Sequence, residues 1–186
     1  MEPMLLVLTG AALALGAVLL GSHILGFVAQ RPADFAGQGP VLNLRDHLAG
    51  PLLCEGVIYG PTGRVVSRFV AEMEAHWHGN VGTMTEEFRY DSGAVQHRQW
   101  TLHVEGDDRI RAEAPDVVGT GHGELCGPAL RLRYRIRLPD SAGGYVLDTT
   151  DWMYVVENGT IINRSQFRKY GFKVAELIAT IRKNDR

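Results

Sequence analysis

The chain has 186 residues, 45% hydrophobic and 22% charged, which supplies apolar surface for one core of ordinary size and little for a second. A formal net charge of −2, without an array of interleaved basic and aromatic residues, excludes a polyanion partner, so no nucleic acid is expected. The 22 glycines recur where strands would end, as at Gly60, Gly63, Gly93, Gly106 and Gly159, the punctuation of many short antiparallel strands.

The first element is apolar. No charged side chain stands between Met4 and Gln30, and at 1.5 Å per residue that run suits the roughly 30 Å hydrocarbon core of a bilayer. A cleaved signal peptide is the competing reading. Glu2 occupies what would be a basic leader, and Phe27 spoils a small-x-small site ending at Ala29, so residues 1–30 are expected to remain as a single transmembrane anchor or uncleaved signal. Arg31 and Arg45 follow it, and flanking charge alone would keep that side cytoplasmic. Residues 31–42 carry Pro and Gly without periodicity and read as a tether. Asn43 to Gly50 predicts one short helix, with Asn43 as cap, Asp46 in the first turn, and Gly50-Pro51 as the stop.

From there the pattern has period two. Phe69, Ala71, Met73, Ala75 and Trp77 share one face, opposite Arg68, Glu72, Glu74, His76 and His78, which predicts a half-buried strand. Met84, Glu86, Phe88 and Tyr90 precede Asp91-Ser92-Gly93, and Arg98, Trp100, Leu102 and Val104 follow it. A two-residue loop would oppose Phe88 to His97 and mismatch the apolar faces. A three-residue loop with Gly93 in the left-handed region instead opposes Met84 to Trp100 and makes Glu86 and Arg98 an inward pair.

Ile110, Ala112 and Ala114 predict a further strand, and the glycine-broken run Val117 to Cys126 a sharp corner. Leu130, Leu132, Tyr134, Ile136 and Leu138 then alternate with Arg131, Arg133, Arg135 and Arg137, an outer strip that is solvated or rests on anionic lipid. Asp151 to Gly171 predicts a hairpin turning at Asn158-Gly159 by a two-residue type I′ turn. That register sets Tyr154 opposite Asn163, Met153 opposite Arg164 and Trp152 opposite Ser165, and it puts Asp151 and Arg164 on one face and Asn163 on the other. Val174 to Ile181 is expected to be the strand that closes the sheet. The fold class is therefore mainly β: an antiparallel up-and-down barrel of about 8–10 strands over residues 43–186, preceded by a short helix and a transmembrane helix.

Several segments, in order, resemble a bacterial envelope family catalogued as domain of unknown function 3833. They are Glu86-Glu-Phe-Arg-Tyr-Asp-Ser-Gly with Arg98-Gln-Trp, Asp116-Val-Val-Gly, Asp151-Trp-Met-Tyr, Asn163-Arg-Ser and Lys169-Tyr-Gly, in a match running from about Leu44 to Lys183. The resemblance implies a lipocalin-like barrel on the periplasmic side of a bacterial inner membrane. Members usually carry a lipoprotein signal with an acylated cysteine. No cysteine precedes Cys54 here, and the membrane helix takes the place of the lipid. The family has no established catalytic residues to carry over.

Glu86 and Arg98 either orient a ligand head group, with Arg98 holding an acid, or lock a hairpin as a structural ion pair. With Phe88, Tyr90, Trp100, Tyr134, Trp152 and Asn163 they form the candidate ligand-binding set. His76 and His78 beside Glu74 read as a solvated pair rather than metal ligands. Cys54 and Cys126 are either a disulfide or two free thiols. No nucleophile elbow, phosphate loop, dinucleotide fingerprint or paired-cysteine zinc pattern occurs, so neither cofactor nor metal is expected, and an enzyme is the weaker reading. The function expected is a membrane-tethered barrel that binds a lipid or other hydrophobic small molecule. The alternatives are an enzyme acting on such a molecule and an envelope scaffold with a filled barrel.

Overall fold

The computed structural model describes residues 2–184. Ten strands form one closed barrel in which each pairs antiparallel with its sequence neighbours and the last returns to the first. They are β1 (Gly50–Tyr59), β2 (Val65–His78), β3 (Val81–Tyr90), β4 (Val95–Glu105), β5 (Arg109–Glu113), β6 (Gly121–Cys126), β7 (Ala129–Arg137), β8 (Val146–Val155), β9 (Ile161–Lys169) and β10 (Phe172–Lys183). Alternation sets the faces: Phe69, Ala71, Met73 and Ala75 are buried while their β2 neighbours are exposed. Closure needs room inside. A Cβ on Gly56 would lie 2.7 Å from Phe69 Cζ, Ala179 Cβ and the Ile178 carbonyl, so only glycine lets that ring cross β1.

A short helix, α2 (Leu44–His47), closes one end of the barrel. Asn43 caps it by accepting from the Arg45 backbone N–H at 3.0 Å. Its Leu44 and the flanking Leu42 and Leu48 are buried in the core. Trp77 Nε1 fastens the end by donating to the Leu48 carbonyl at 2.6 Å.

The β3–β4 turn is the expected three-residue loop. Gly93 has φ +84°, and Glu86 pairs with Arg98 and Met84 with Trp100. The β8–β9 turn departs from expectation by one residue. Val156 N donates to Thr160 O and Gly159 N to Val156 O, so the loop is Glu157-Asn158-Gly159. Gly159 has φ +79°, and Asn158 is not among the positive-φ residues. The Asn158 side chain accepts from Thr160 N at 3.0 Å, which holds an ordinary turn in place of the type I′ form. The apolar match of Val155 with Ile161, both buried, selects this register. The partners are therefore Trp152 with Arg164, Met153 with Asn163, and Asp151 with Ser165; β9 keeps Asn163 inward, while β8 turns over, bringing Asp151 and Met153 inward and Trp152 and Tyr154 outward.

The tether is not free. Residues Pro32–Phe35 form a 3-10 turn on the outside of β6 and β7. The Phe35 ring lies 5.7 Å from Trp152 and 5.4 Å from Tyr154, and Tyr154 donates to Gln30 Oε1 at 3.0 Å. The outer arginine strip is likewise only partly solvated. Arg133, Arg135 and Arg137 are exposed, while Arg131 bonds Glu124 at 2.8 Å and covers the Trp152 ring.

At the amino end α1 spans Glu2–Leu25. Its side chains described in an unbroken run, residues 3–18, are exposed and cover about 24 Å at 1.5 Å per residue. Among the described residues no helix is long and apolar enough to cross a membrane. The expected transmembrane helix thus finds no support in the fold.

Candidate functional site

A cavity of about 120 Å³ lies inside the barrel. Phe69, Met73, Met84, Phe88, Leu132 and Ile136 are part of its apolar wall, with Leu44 of α2 and the adjacent Leu48. Trp100 meets Tyr134 edge to face, with ring centroids 5.3 Å apart. Two polar groups converge on it from opposite walls.

The first comes from β3 and β4. Pairing of β4 with β5 stops at Thr101, because the chain beyond β5 leaves to join β7: Val117 bridges to Ile136 and Arg137 N donates to Asp116 O. Asp116 is thereby carried next to the unpaired part of β4. Arg98 Nε and Nη2 donate to both Asp116 oxygens at 2.8 and 3.1 Å, a bidentate fork, and the guanidinium lies 4.9 Å from the Trp100 ring centre. Arg98 Nη1 stands 3.5 Å from Glu86 Oε2. That oxygen is buried and has no hydrogen-bond partner among the described residues. Burial pushes the Glu86 carboxyl up to about 7, against the pull of Arg98, with the charges of Asp116 and Asp151 adding to the rise.

The second comes from β8 and β9 and exists because of the shifted register. Asp151, Asn163 and Ser165 all point inward. Asn163 Nδ2 and Ser165 Oγ, the latter at 2.8 Å, both donate to Asp151 Oδ1. Burial raises Asp151 to about 6, opposed by those two donors and by Arg98. Cys54, also on the cavity wall, is pushed up to about 12 chiefly by burial, so its thiol is inert. Burial raises the Tyr134 hydroxyl as well.

Of the eight residues expected to bind a ligand, Glu86, Phe88, Arg98, Trp100, Tyr134 and Asn163 line the cavity. Tyr90 stands at its rim, stacked on Phe88 at 6.1 Å and donating to Gln96 Oε1 at 2.9 Å. Trp152 is the correction: it faces outward, is 0% exposed beneath the docked amino-terminal segment, and touches no ligand space. Sequence reasoning missed Asp116 and Ser165 and separated Asp151 from Asn163. The inward alternation of Met153 and Val155 was the available signal for the hairpin, whereas Asp116 depends on a chain path that no periodicity marks. His76 and Glu74 form an exposed pair at 3.3 Å, and no metal-holding group occurs among the described residues. Both cysteines are free thiols.

A larger, open cleft of about 910 Å³ crosses the outer wall from β2 to β4. It is acidic, with Glu72, Glu74, Glu87 and Asp140 along it, and Glu86, Arg98 and Asp116 line it as well.

A family model described as "Protein of unknown function (DUF3833)" matches residues 22–183, so the chain belongs to that family. No curated protein matches the sequence. Among solved structures, the chain is similar to an S-type phycobiliprotein lyase from Guillardia theta, with a TM-score of 0.56, 6% identity, and coverage of 76% of this chain and 90% of the lyase. It is also similar to Rv2717c from M. tuberculosis, with a TM-score of 0.54, 17% identity, and coverage of 79% and 99%. At such identities the likeness shows the lipocalin-like barrel and nothing of its activity.

Proposed function

We propose that this DUF3833 protein is a binding barrel for a lipid-like or other hydrophobic small molecule, held at a bacterial inner membrane by α1 with the barrel on the periplasmic side. The observation that carries the reading is the apolar cavity inside the barrel with two buried polar groups on its wall, the Glu86–Arg98 pair and the Asp151–Asn163–Ser165 cluster. A filled apolar core has no use for two buried carboxyls, Glu86 and Asp151, whose burial costs free energy unless polar groups meet them. The volume sets a scale. An apolar cavity of about 150 Å³ admits benzene, so about 120 Å³ takes a short branched group and falls short of an aromatic ring. A long acyl chain requires the Phe69, Phe88 and Tyr90 rings, which pack on one another at the rim, to swing aside. The membrane part of the reading rests on the uncharged run from Met4 to Gln30.

A catalytic reading draws on the same groups, since two carboxyls near 7 and 6 in one cavity suit acid-base work. The phycobiliprotein lyase is one protein of this shape that bears a catalytic name. Native mass spectrometry of the full chain, extracted from its own membrane, tests the binding reading. A co-purifying small molecule that is absent after Met84→Trp fills the cavity is the expected result. A clean protein that takes up no extracted lipid or apolar probe leaves a packed scaffold, and turnover of the captured molecule makes the barrel an enzyme. Alkaline carbonate should leave the chain in the membrane pellet, and its release would refute the tether.

A further inference from the structure

Where α1 meets the barrel wall, charge is distributed unevenly. On one flank an open hollow of about 340 Å³ is lined by Ile24 of α1, by Val28 and Ala29 of the 3-10 turn that follows, and by Arg31, Arg131 and Arg133. No carboxylate lines it among the described residues. On the other flank the hollow beside Phe27 holds one arginine, Arg164, with Asp34 on the same wall and Glu176 accepting from the guanidinium at 2.6 Å, so its charge is met. The three arginines of the first hollow differ in how far they are already used. Arg131 gives one nitrogen to Glu124 at 2.8 Å. Arg133 lies across from Thr150 on β8 and His122 on β6, neither of them an acid, whereas Arg135 on the same strand lies across from Asp148. Partial burial pulls the Arg133 guanidinium below its ordinary value, and the charge of Arg131 adds to the fall while Glu124 opposes it. Arg31 brings a further cation from the tether, so the hollow keeps an excess of positive charge.

Resting on the reading of α1 as a membrane tether, we propose that this hollow binds the phosphate head group of an anionic phospholipid, held by Arg31, Arg131 and Arg133, with the acyl chains running along Ile24 and Val28 toward the bilayer. The guanidinium fork matches phosphate oxygens and stays charged when partly desolvated. The aliphatic side of the hollow continues into the uncharged run from Met4 to Gln30, so a ligand anionic at one end and apolar along the rest meets both surfaces at once. A choline head group would set its own cation among three arginines, which disfavours a zwitterionic lipid. At about 30 Å³ per water the hollow holds on the order of ten waters, room enough for a phosphate with its glycerol.

Native mass spectrometry of the full chain in a neutral detergent, titrated with dioleoyl phosphatidylglycerol, dioleoyl phosphatidylcholine and glycerol 3-phosphate, tests this. The phosphatidylglycerol is expected to bind about tenfold more tightly than either of the others. Arg133→Gln should cut its affinity by about fivefold, whereas Arg135→Gln, which removes the same charge from the same strand outside the hollow, should leave it unchanged. Both side chains are exposed, and thermal unfolding checks that each variant folds; Arg31→Gln replaces Arg133→Gln if that variant does not. Phosphatidylcholine binding as tightly, equal losses in the Arg133 and Arg135 variants, or glycerol 3-phosphate binding as tightly overturns the proposal. A chain that stays in the membrane pellet in alkaline carbonate yet shows no preference among the lipids loses this site and keeps the tether; a chain that carbonate releases loses both.

Discussion

Arg98 gives its two well-aligned hydrogen bonds to Asp116, at 2.8 and 3.1 Å, and meets Glu86 only at 3.5 Å. The partner adjacent across the hairpin is therefore the weaker one. Asp116 seals the side of β4 that lacks a strand, so its loss frees a half-buried guanidinium and opens the wall. Asp116→Ala is expected to cost about 2 kcal/mol, the scale of hydrogen bonds to a charged group. Glu86→Gln should cost little or stabilise at pH 8, since it removes a carboxylate that burial penalises. Urea unfolding of both variants checks the ranking, and a larger loss for Glu86→Gln would refute it.

The two buried carboxyls also fix the sign of a pH dependence. Burial raises Glu86 from 4.5 to about 7 and Asp151 from 3.8 to about 6. Between each pair of values the folded chain holds a proton that the unfolded chain has released, so stability falls as pH rises through about 4 to 7 and is level above. At about 1.4 kcal/mol per pH unit for each proton held, the combined effect is on the order of a few kcal/mol. Urea midpoints measured from pH 4.5 to 8 should show a slope that Glu86→Gln removes near pH 6 to 7 and Asp151→Asn removes lower down. Curves for both variants parallel to the unaltered protein would contradict the assignment.

Much of this was legible from the chain, and the reasons differ by element. Period-two alternation, as in Leu130 to Leu138 against Arg131 to Arg137, reflects burial on one face only, so strands, faces and the closing strand follow from sequence. The Glu86–Arg98 pair was legible because matching two apolar faces across Asp91-Ser92-Gly93 admits one register. The same test applied to Val155 and Ile161 selects the observed β8–β9 register, but Asn158-Gly159 is a strong local signal for a different turn. A one-residue slip then hid the Asp151–Asn163–Ser165 group and put Trp152 inside. Asp116 was not legible at all. Its place follows from the chain leaving β5 to pair with β7, a tertiary choice that leaves no mark on local pattern.

The three-residue β8–β9 loop makes a prediction of its own. The Gly159 N–H bond to the Val156 carbonyl puts Glu157 at the second position of an ordinary turn, where proline is favoured, whereas a type I′ turn at Asn158-Gly159 would need the Glu157 N–H in the ladder. Glu157→Pro is expected to be neutral or stabilising by up to about 1 kcal/mol. Gly159→Ala, forced to hold φ +79°, should cost about 1 kcal/mol. Loss of folding in the proline variant, read from thermal unfolding, would restore the two-residue turn.

The outer surface carries the last prediction. Trp152 is wholly buried, yet it projects away from the barrel interior, and what covers it is Phe35 at 5.7 Å together with the Arg131 guanidinium at 5.9 Å. Gly127 lets that cover sit close, since a Cβ there would fall 2.4 Å from the Phe35 carbonyl oxygen. Residues ahead of the barrel are thus part of its packing. Phe35→Ala should destabilise by about 2 kcal/mol, less than a fully enclosed phenylalanine because the ring lies near the surface. It should also expose one indole to water while Trp77 and Trp100 stay in place. The emission of the folded variant is therefore expected to shift to longer wavelength, with a fraction near one third of the tryptophan signal becoming accessible to iodide. Gly127→Ala should reproduce both effects by lifting the segment away. Unchanged quenching in both folded variants would mean that the barrel wall shields Trp152 without the docked segment.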